Sequence, residues 1–239
     1  MGMTVYPIFY TIERSFWDFS LATPASQYKF VGLGNYIWAF SSTRFLNTIQ
    51  VTLFYVAVSL IVQLILGLFI ALMLNVKVWG SSTFRTLIIL PIFVATVCSA
   101  MSFRWMFMYT FGIVNYVLSG FGIPEFTWFS DPNGAMFVVM LTDTWMATPF
   151  IILVTLAGLM GIPEEVTEAG IVDGCSRWQQ FRNITLPLLK PAIFAAMLIR
   201  MTYAFQVFDS VYVLTVGGPT LAGGEQLATE TLSMLAYNY

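Results

Sequence analysis

The sequence predicts an all-α, polytopic bundle of membrane-spanning helices, and three observations predict it. Of 239 residues, 58% are hydrophobic and only 9% charged, against roughly 25% charged in an ordinary soluble domain. Mean hydropathy is +0.80. Apolar runs reaching about 20 residues, enough to cross roughly 30 Å of hydrocarbon at a helical rise of 1.5 Å, recur along the chain and are too many for a soluble core. The alternation of polar and apolar residues that a β-barrel requires is missing from these runs.

The chain reads as one domain, residues 1–239. Residues 1–19 form a partial span: the apolar stretch meets Glu13 and Arg14 after about a dozen residues, too few to cross unaided. It is expected to be the outer half of a helix whose start is missing. The clearest span is 48–75, interrupted only by Gln63 and small residues and bracketed by Asn47 and Asn75. Further spans are read at 86–108, 135–160 and 187–213, with a polar loop at 161–186. A Gly-rich segment follows, Gly217-Gly218-Pro219 through Gly223-Gly224-Glu225, with a modest amphipathic stretch behind it. Another span is expected after Tyr239.

Lys and Arg in short loops orient the chain, because cytoplasmic loops are enriched in them. Lys77 and Arg85 follow the 48–75 span, and Arg177, Arg182 and Lys190 lie between the last two. Those loops are assigned to the cytoplasm. Residues 109–134 and 216–239 contain neither Lys nor Arg and are assigned outside. Lys29 and Arg44 in the first loop run against the rule, but five basic residues inside against two outside keep the alternation.

Several chemistries are closed off. Cys98 falls in a span and Cys175 in a cytoplasmic loop, so neither a disulfide nor a thiolate metal site is expected. With no histidine in the chain, a Ser-His-Asp triad, a His-ligated metal and an imidazole relay are excluded. No phosphate-cradling glycine loop occurs. The chain is therefore expected to need no cofactor or metal and not to be an enzyme.

The loop 161–186 carries the strongest signal. Ile162-Pro163-Glu164-Glu165 begins a helix, with proline near the first turn and carboxylates at the positive end of the helix dipole. The helix should run through Val166, Ala169 and Val172 to Gly174, where glycine lets the backbone turn and another surface approach. A second short helix, 178–184, carries Trp178, Phe181 and Ile184 on one side, before Pro187 and Pro191 open the next span. Spacing alone also allows an amphipathic loop lying on the membrane.

The residue pattern is more specific. Glu168-Ala169-Gly170-x-x-Asp173-Gly174, nine residues, then Ile184-x-Leu186-Pro187 closely resembles the EAA motif of ABC importer permeases. In that family the motif forms a coupling helix seated in a cleft of the ATPase subunit. The resemblance assigns Glu168, Ala169, Gly170, Asp173 and Gly174 to that docking surface, Gly170 standing where a second alanine is usual and Cys175 where a small residue is found. Phe30-Val31-Gly32-Leu33-Gly34-Asn35-Tyr36, Tyr6-Pro7-Ile8 and Tyr212-Val213-Leu214-Thr215-Val216-Gly217-Gly218-Pro219 are similar to landmarks of the carbohydrate-uptake branch, the maltose and glycerol-3-phosphate type. The resemblance implies a MetI-like, type I importer core of six helices, of which this chain is expected to lack half of the first and all of the sixth.

Charged residues inside a span cost about +2.5 to +3.5 kcal/mol at the helix centre and face a bundle interior or a watery path. Asp143 lies eight residues from Ala135, roughly 12 Å deep. Arg200 lies thirteen residues beyond Pro187, which puts it roughly 10 Å from the outer end. Equal depth suggests that the two pair, directly or through sugar hydroxyls. The plainer readings are a carboxylate satisfied by neighbouring helices and an arginine snorkelling outward. By similarity to the maltose-type permeases, Asp143, Met146, Ala147 and Phe150 line the sugar path, joined by Tyr203, Ala204 and Val207. Asparagines of that branch are absent at some of these places. Trp145, Phe150, Tyr203 and Gln206 supply the aromatic and amide groups that sugars favour, although a Trp or Tyr near a membrane end also serves as an anchor. Gly67-x-x-x-Ala71, Ala157-Gly158 and Gly161 should let helices approach closely.

The resemblance implies one permease half of an ATP-driven sugar importer in a bacterial or archaeal inner membrane. Its expected partners are a second permease subunit, two ATP-binding subunits, an extracytoplasmic sugar-binding protein, the sugar and the bilayer, with no nucleic acid. The competing class is a secondary transporter or channel working without an ATPase. It predicts ion-coupling carboxylates or broken helices near mid-membrane.

Overall fold

The computed structural model describes residues 2–18, 28–75, 81–221 and 227–238. Lys77 and Gly223-Gly224-Glu225 lie outside the described residues. Helix α1, Gly2–Arg14, is joined through a two-residue ladder, β1 (Trp17–Asp18) with β2 (Lys29–Phe30), to α2, Gly34–Ser41. Asn35 donates through Nδ2 to the carbonyls of Ser15 and Trp17, and Tyr36 meets the Ser15 hydroxyl at 2.6 Å. The Asn-Tyr pair thus ties α2 to the end of α1.

Helix α3, Thr43–Leu74, is 32 residues long, or roughly 48 Å at the helical rise. Ser42 caps it, accepting from Phe45 N–H at 3.4 Å. Its buried positions are Thr48, Thr52, Tyr55, Val56, Ser59, Leu60, Gln63, Gly67 and Ala71, mostly small or polar, while Leu53, Phe54, Ile61, Ile65 and Phe69 face outward. Lipid rewards this inversion of a soluble helix: nothing drives large apolar side chains inward, and polar ones seek partners within the bundle. The main partner is α7, Pro132–Met160, capped by Asp131, which accepts from Gly134 N–H at 2.6 Å.

The two helices close at Gly67. A Cβ there would stand 2.6 Å from Ile151 Cγ2 and 2.9 Å from Ile151 Cβ. Both atoms sit at the stiff branch of a β-branched side chain. Gly67→Val is expected to destabilise the bundle by about 1–3 kcal/mol through overpacking, read as an earlier thermal unfolding in detergent. Gly158 makes a similar approach, 2.9 Å to Leu189 Cδ2 and 3.2 Å to Ala192 Cβ. Gly161 does not. Its Cβ would meet only its own helix's carbonyls at 3.5 Å and beyond, so it serves as the α7 C-cap.

Two stretches read as single spans are broken. Residues 86–108 divide into α4 (Ser81–Ile89), a 3-10 turn (Leu90–Phe93) and α5 (Thr96–Met106), with a bend of 97° at the break. Pro91 lacks an N–H and disfavours helix in the residue before it, and Val94 and Ala95 are extended. The 187–213 stretch ends as helix at Phe205 and resumes as α11, Asp209–Thr215. Between α5 and α7 lies a short helix, α6, Ile113–Gly120, anchored by Asn115, which bonds the carbonyl of Phe126 and the Trp128 indole. By length and composition, α3, α7 and the helix ending at Phe205 can each cross a membrane, and the bent pair can form a fourth span.

The loop 161–186 folds as α8 (Glu164–Val172) and α9 (Arg177–Gln180), which runs through a π turn (Phe181–Thr185) into α10 (Leu186–Phe205). The separate second helix expected before Pro187 is therefore the start of the next span. Pro187 has no N–H for the usual bond, and the π turn absorbs this by letting Leu186 N–H reach the carbonyl of Phe181. The C-terminal stretch forms α12, Leu232–Asn238, with Met234 and Leu235 buried.

Candidate functional site

Asp143 of α7 and Arg200 of α10 form a direct ion pair, Arg200 Nη2 donating to Asp143 Oδ2. Gln63 of α3 completes the cluster. Its Oε1 accepts from Arg200 Nε at 2.9 Å, and its Nε2 donates to Asp143 Oδ2 at 2.8 Å. Gln63 is fully buried and Arg200 only 6% exposed. In the sequence Gln63 stands out only as an interruption in an apolar span. Its signal was present: an amide in the middle of a lipid-facing helix needs a partner from another helix. Tyr55 stands within electrostatic reach of both charged groups, fully buried.

A cavity of about 590 Å³ opens over this cluster. Eight of the residues expected along the path line it: Asp143, Met146, Ala147 and Phe150 from α7, and Arg200, Tyr203, Gln206 and Val207 from α10 and its end. Ala204, named with them, is instead buried in the core, and Trp145 packs on Phe103 at 5.8 Å between ring centres. Ile92, Thr96, Phe208 and the acidic Asp209 also line the cavity, and no motif or charge count in the sequence points to them. These sit at the two helix breaks, which periodicity does not reveal. Irregular backbone at membrane depth is tolerated where it lines a cavity, and this cavity is framed by both breaks.

At the other end of α7 and α10, α8 closes in a Schellman turn. Gly174 N–H donates to the Ile171 carbonyl at 3.0 Å and Cys175 N–H to the Gly170 carbonyl at 2.9 Å. The turn requires the left-handed conformation, which Gly174 supplies at φ +76°. Glu168, Ala169, Asp173 and Gly174 are exposed. Gly170 is not on this surface. It is buried against Ile184, where a Cβ would lie 2.7 Å from Ile184 Cδ1. Gln180 fastens α9 to α8 by donating to the Thr167 carbonyl at 2.8 Å. Around this tip Ile171, Val172 and Trp178 are 64%, 86% and 65% exposed.

Among the described residues no cluster of three or more His, Cys, Asp or Glu side chains could hold a metal. The chain matches, over residues 63–237, the family described as binding-protein-dependent transport system inner membrane component.

The chain belongs to that family of permeases.

It is 41% identical over 210 residues to the trehalose/maltose transport system permease protein MalF of Thermococcus litoralis, covering 88% of this chain and 69% of that one. It is 35% identical to the sulfoquinovosyl glycerol transport system permease protein SmoG of Agrobacterium fabrum, over 90% of this chain and 70% of that one. A solved bacterial ABC transporter involved in the import of the acidic polysaccharide alginate shares the fold, with a TM-score of 0.79 at 24% identity over 99% of this chain and 82% of that one. Membership makes the chain a permease subunit of an ABC importer and not an enzyme. The 97° break is a feature that a secondary transporter also uses, but the family match assigns it to the binding-protein-dependent class.

Proposed function

We propose that the chain forms half of the translocation path of an ATP-driven sugar importer in a bacterial or archaeal inner membrane, and that α8 is its docking element for the ATPase. An unbroken run of helix from Arg177 to Phe205 carries the reading. It joins the exposed tip of the cytoplasmic loop to Arg200 and Tyr203 on the cavity wall, so displacement of the tip moves the wall. A binding protein delivers sugar to the outer loops, a second permease subunit completes the path, and each permease presents one such tip to an ATPase subunit. Closing of the ATPases drives the change because they contact α8 differently in their two states.

The exposed apolar side chains at the tip support docking, since contiguous exposed apolar surface outside the membrane marks an interaction site. Gly174 provides the test. A Cβ there meets open space, so Gly174→Trp is expected to project its ring into the space the partner occupies. It also strains the left-handed turn by about 1–2 kcal/mol. Gly174→Ala carries the strain without the bulk. The tryptophan variant is expected to insert in the membrane yet lose co-purification with the P-loop ATPase, while the alanine variant keeps most of it. Retention by both refutes docking at α8.

A further inference from the structure

We propose that the cavity holds a net negative charge that admits uncharged sugars and turns away anionic ones, with Asp209 as the residue that sets this preference. The inference rests on reading the cavity as the sugar path. Relatives differ in the charge of what their names say they carry, trehalose and maltose for one and an acidic polysaccharide for another. Family membership therefore does not decide the matter, and the residues of this chain must.

Three charged side chains line the cavity: Asp143, Arg200 and Asp209. One guanidinium against two carboxylates leaves one formal negative charge. The guanidinium is also committed. Arg200 Nε is bonded to Gln63 and Nη2 to Asp143, with the residue almost fully buried. An anionic solute needs a charged donor to replace its hydration, and taking Arg200 for that purpose strips Asp143 of its partner. Asp209, by contrast, stands exposed at the start of α11 with no ion pair among the described residues. Its charge faces any solute in the cavity. The remaining polar groups, Thr96, Tyr203, Gln206 and Ser210, are uncharged and both donate and accept hydrogen bonds, which suits hydroxyls. Specificity then has both parts, attraction for a polyol and repulsion of an anion.

The test reads the cavity's potential without involving the binding protein's own choice. In the complete transporter, Cys98→Ser and Cys175→Ser remove the native thiols, and Met146→Cys places one on the cavity wall. If that variant fails to assemble, Tyr203→Cys replaces it. During ATP-driven turnover the thiol is exposed to methanethiosulfonates carrying a trimethylammonium, a hydroxyl or a sulfonate group. Each rate is divided by that for a free thiol in solution. The cationic reagent is expected to outpace the anionic one by about tenfold. Asp209→Asn should remove most of that difference and Asp209→Lys reverse it, with the hydroxyl reagent unchanged throughout. Equal normalised rates, or a difference that Asp209→Asn leaves intact, overturn the charge proposal and leave the path reading standing. A thiol that no reagent reaches during turnover, or whose modification leaves uptake untouched, overturns the path reading itself.

Discussion

Arg200→Met is expected to abolish uptake and to lower stability by about 3–5 kcal/mol, the range for removing one partner of a buried ion pair. The loss comes less from the missing attraction than from what remains. Asp143, with its side chain only 15% exposed, keeps one hydrogen-bond donor, the Gln63 amide. Asp143→Arg alone should be as damaging, since it sets two guanidinium groups against each other. The double variant Asp143→Arg with Arg200→Asp discriminates between a coupled pair and two independent residues. Gln63 helps the exchange: its amide presents an acceptor to Arg200 and a donor to Asp143, and rotating it by a half turn presents each to the opposite side. Recovery of more than half the stability lost by the single variants, measured by thermal unfolding in detergent, is the expected result. A double variant as unstable as the sum of the singles shows that the two side chains do not act together. Uptake in the same variants separates folding from transport, because a refolded but inactive exchange means that the path needs each charge in its own place.

That pair was legible in the sequence because charge inside an apolar span is rare enough to stand out, and because depth along a helix can be counted. Hydropathy marked the apolar runs that fold as α3, α7 and α10, although the helix entering α10 already starts at Arg177 and not at Pro187. It failed at the helix breaks. Pro91 and the 206–208 bend interrupt runs whose composition stays apolar, so nothing in hydropathy separates a broken span from a whole one. Asp209 was missed for that reason: in an unbroken helix ending near Val213 it is one more residue at the outer end, whereas the bend brings it onto the cavity. The Schellman turn at Gly174 was readable, since glycine after a helix has one dominant use. The inward face of Gly170 was not. Its neighbour Ile184 lies fourteen residues on and is placed by a π turn that only the structure reveals.

Arg44→Met is expected to produce the second large effect, at the opposite end of the chain's contacts. The sequence showed Arg44 only as a basic residue on the wrong side of the membrane. In the structure it holds Glu230, a carboxylate with no exposed surface, through Nε at 2.8 Å and Nη2 at 2.5 Å. Asn238 Nδ2 at 3.0 Å and Thr48 Oγ1 at 3.5 Å add weaker support. This bidentate grip is the main charged tie between the start of α3 and the returning C-terminal stretch, where Leu232 N–H also reaches Thr52 Oγ1 at 3.0 Å and Thr231 Oγ1 reaches the Val207 carbonyl at 3.1 Å. Removing the guanidinium strands a buried charge, at a cost of about 3–5 kcal/mol. Arg44→Lys should recover part of it, because an ammonium restores charge but not the planar fork. Arg44→Met with Glu230→Met should recover more, since a buried pair replaced by apolar side chains of similar volume is often neutral. Proteolysis near Tyr237, exposed at the end of the chain's described residues, reports release of the C-terminal stretch. If Arg44→Met leaves both that cleavage and thermal unfolding unchanged, Glu230 is not held by charge, and the hydrogen bonds of Thr231 and Leu232 with the burial of Met234 and Leu235 keep this segment in place.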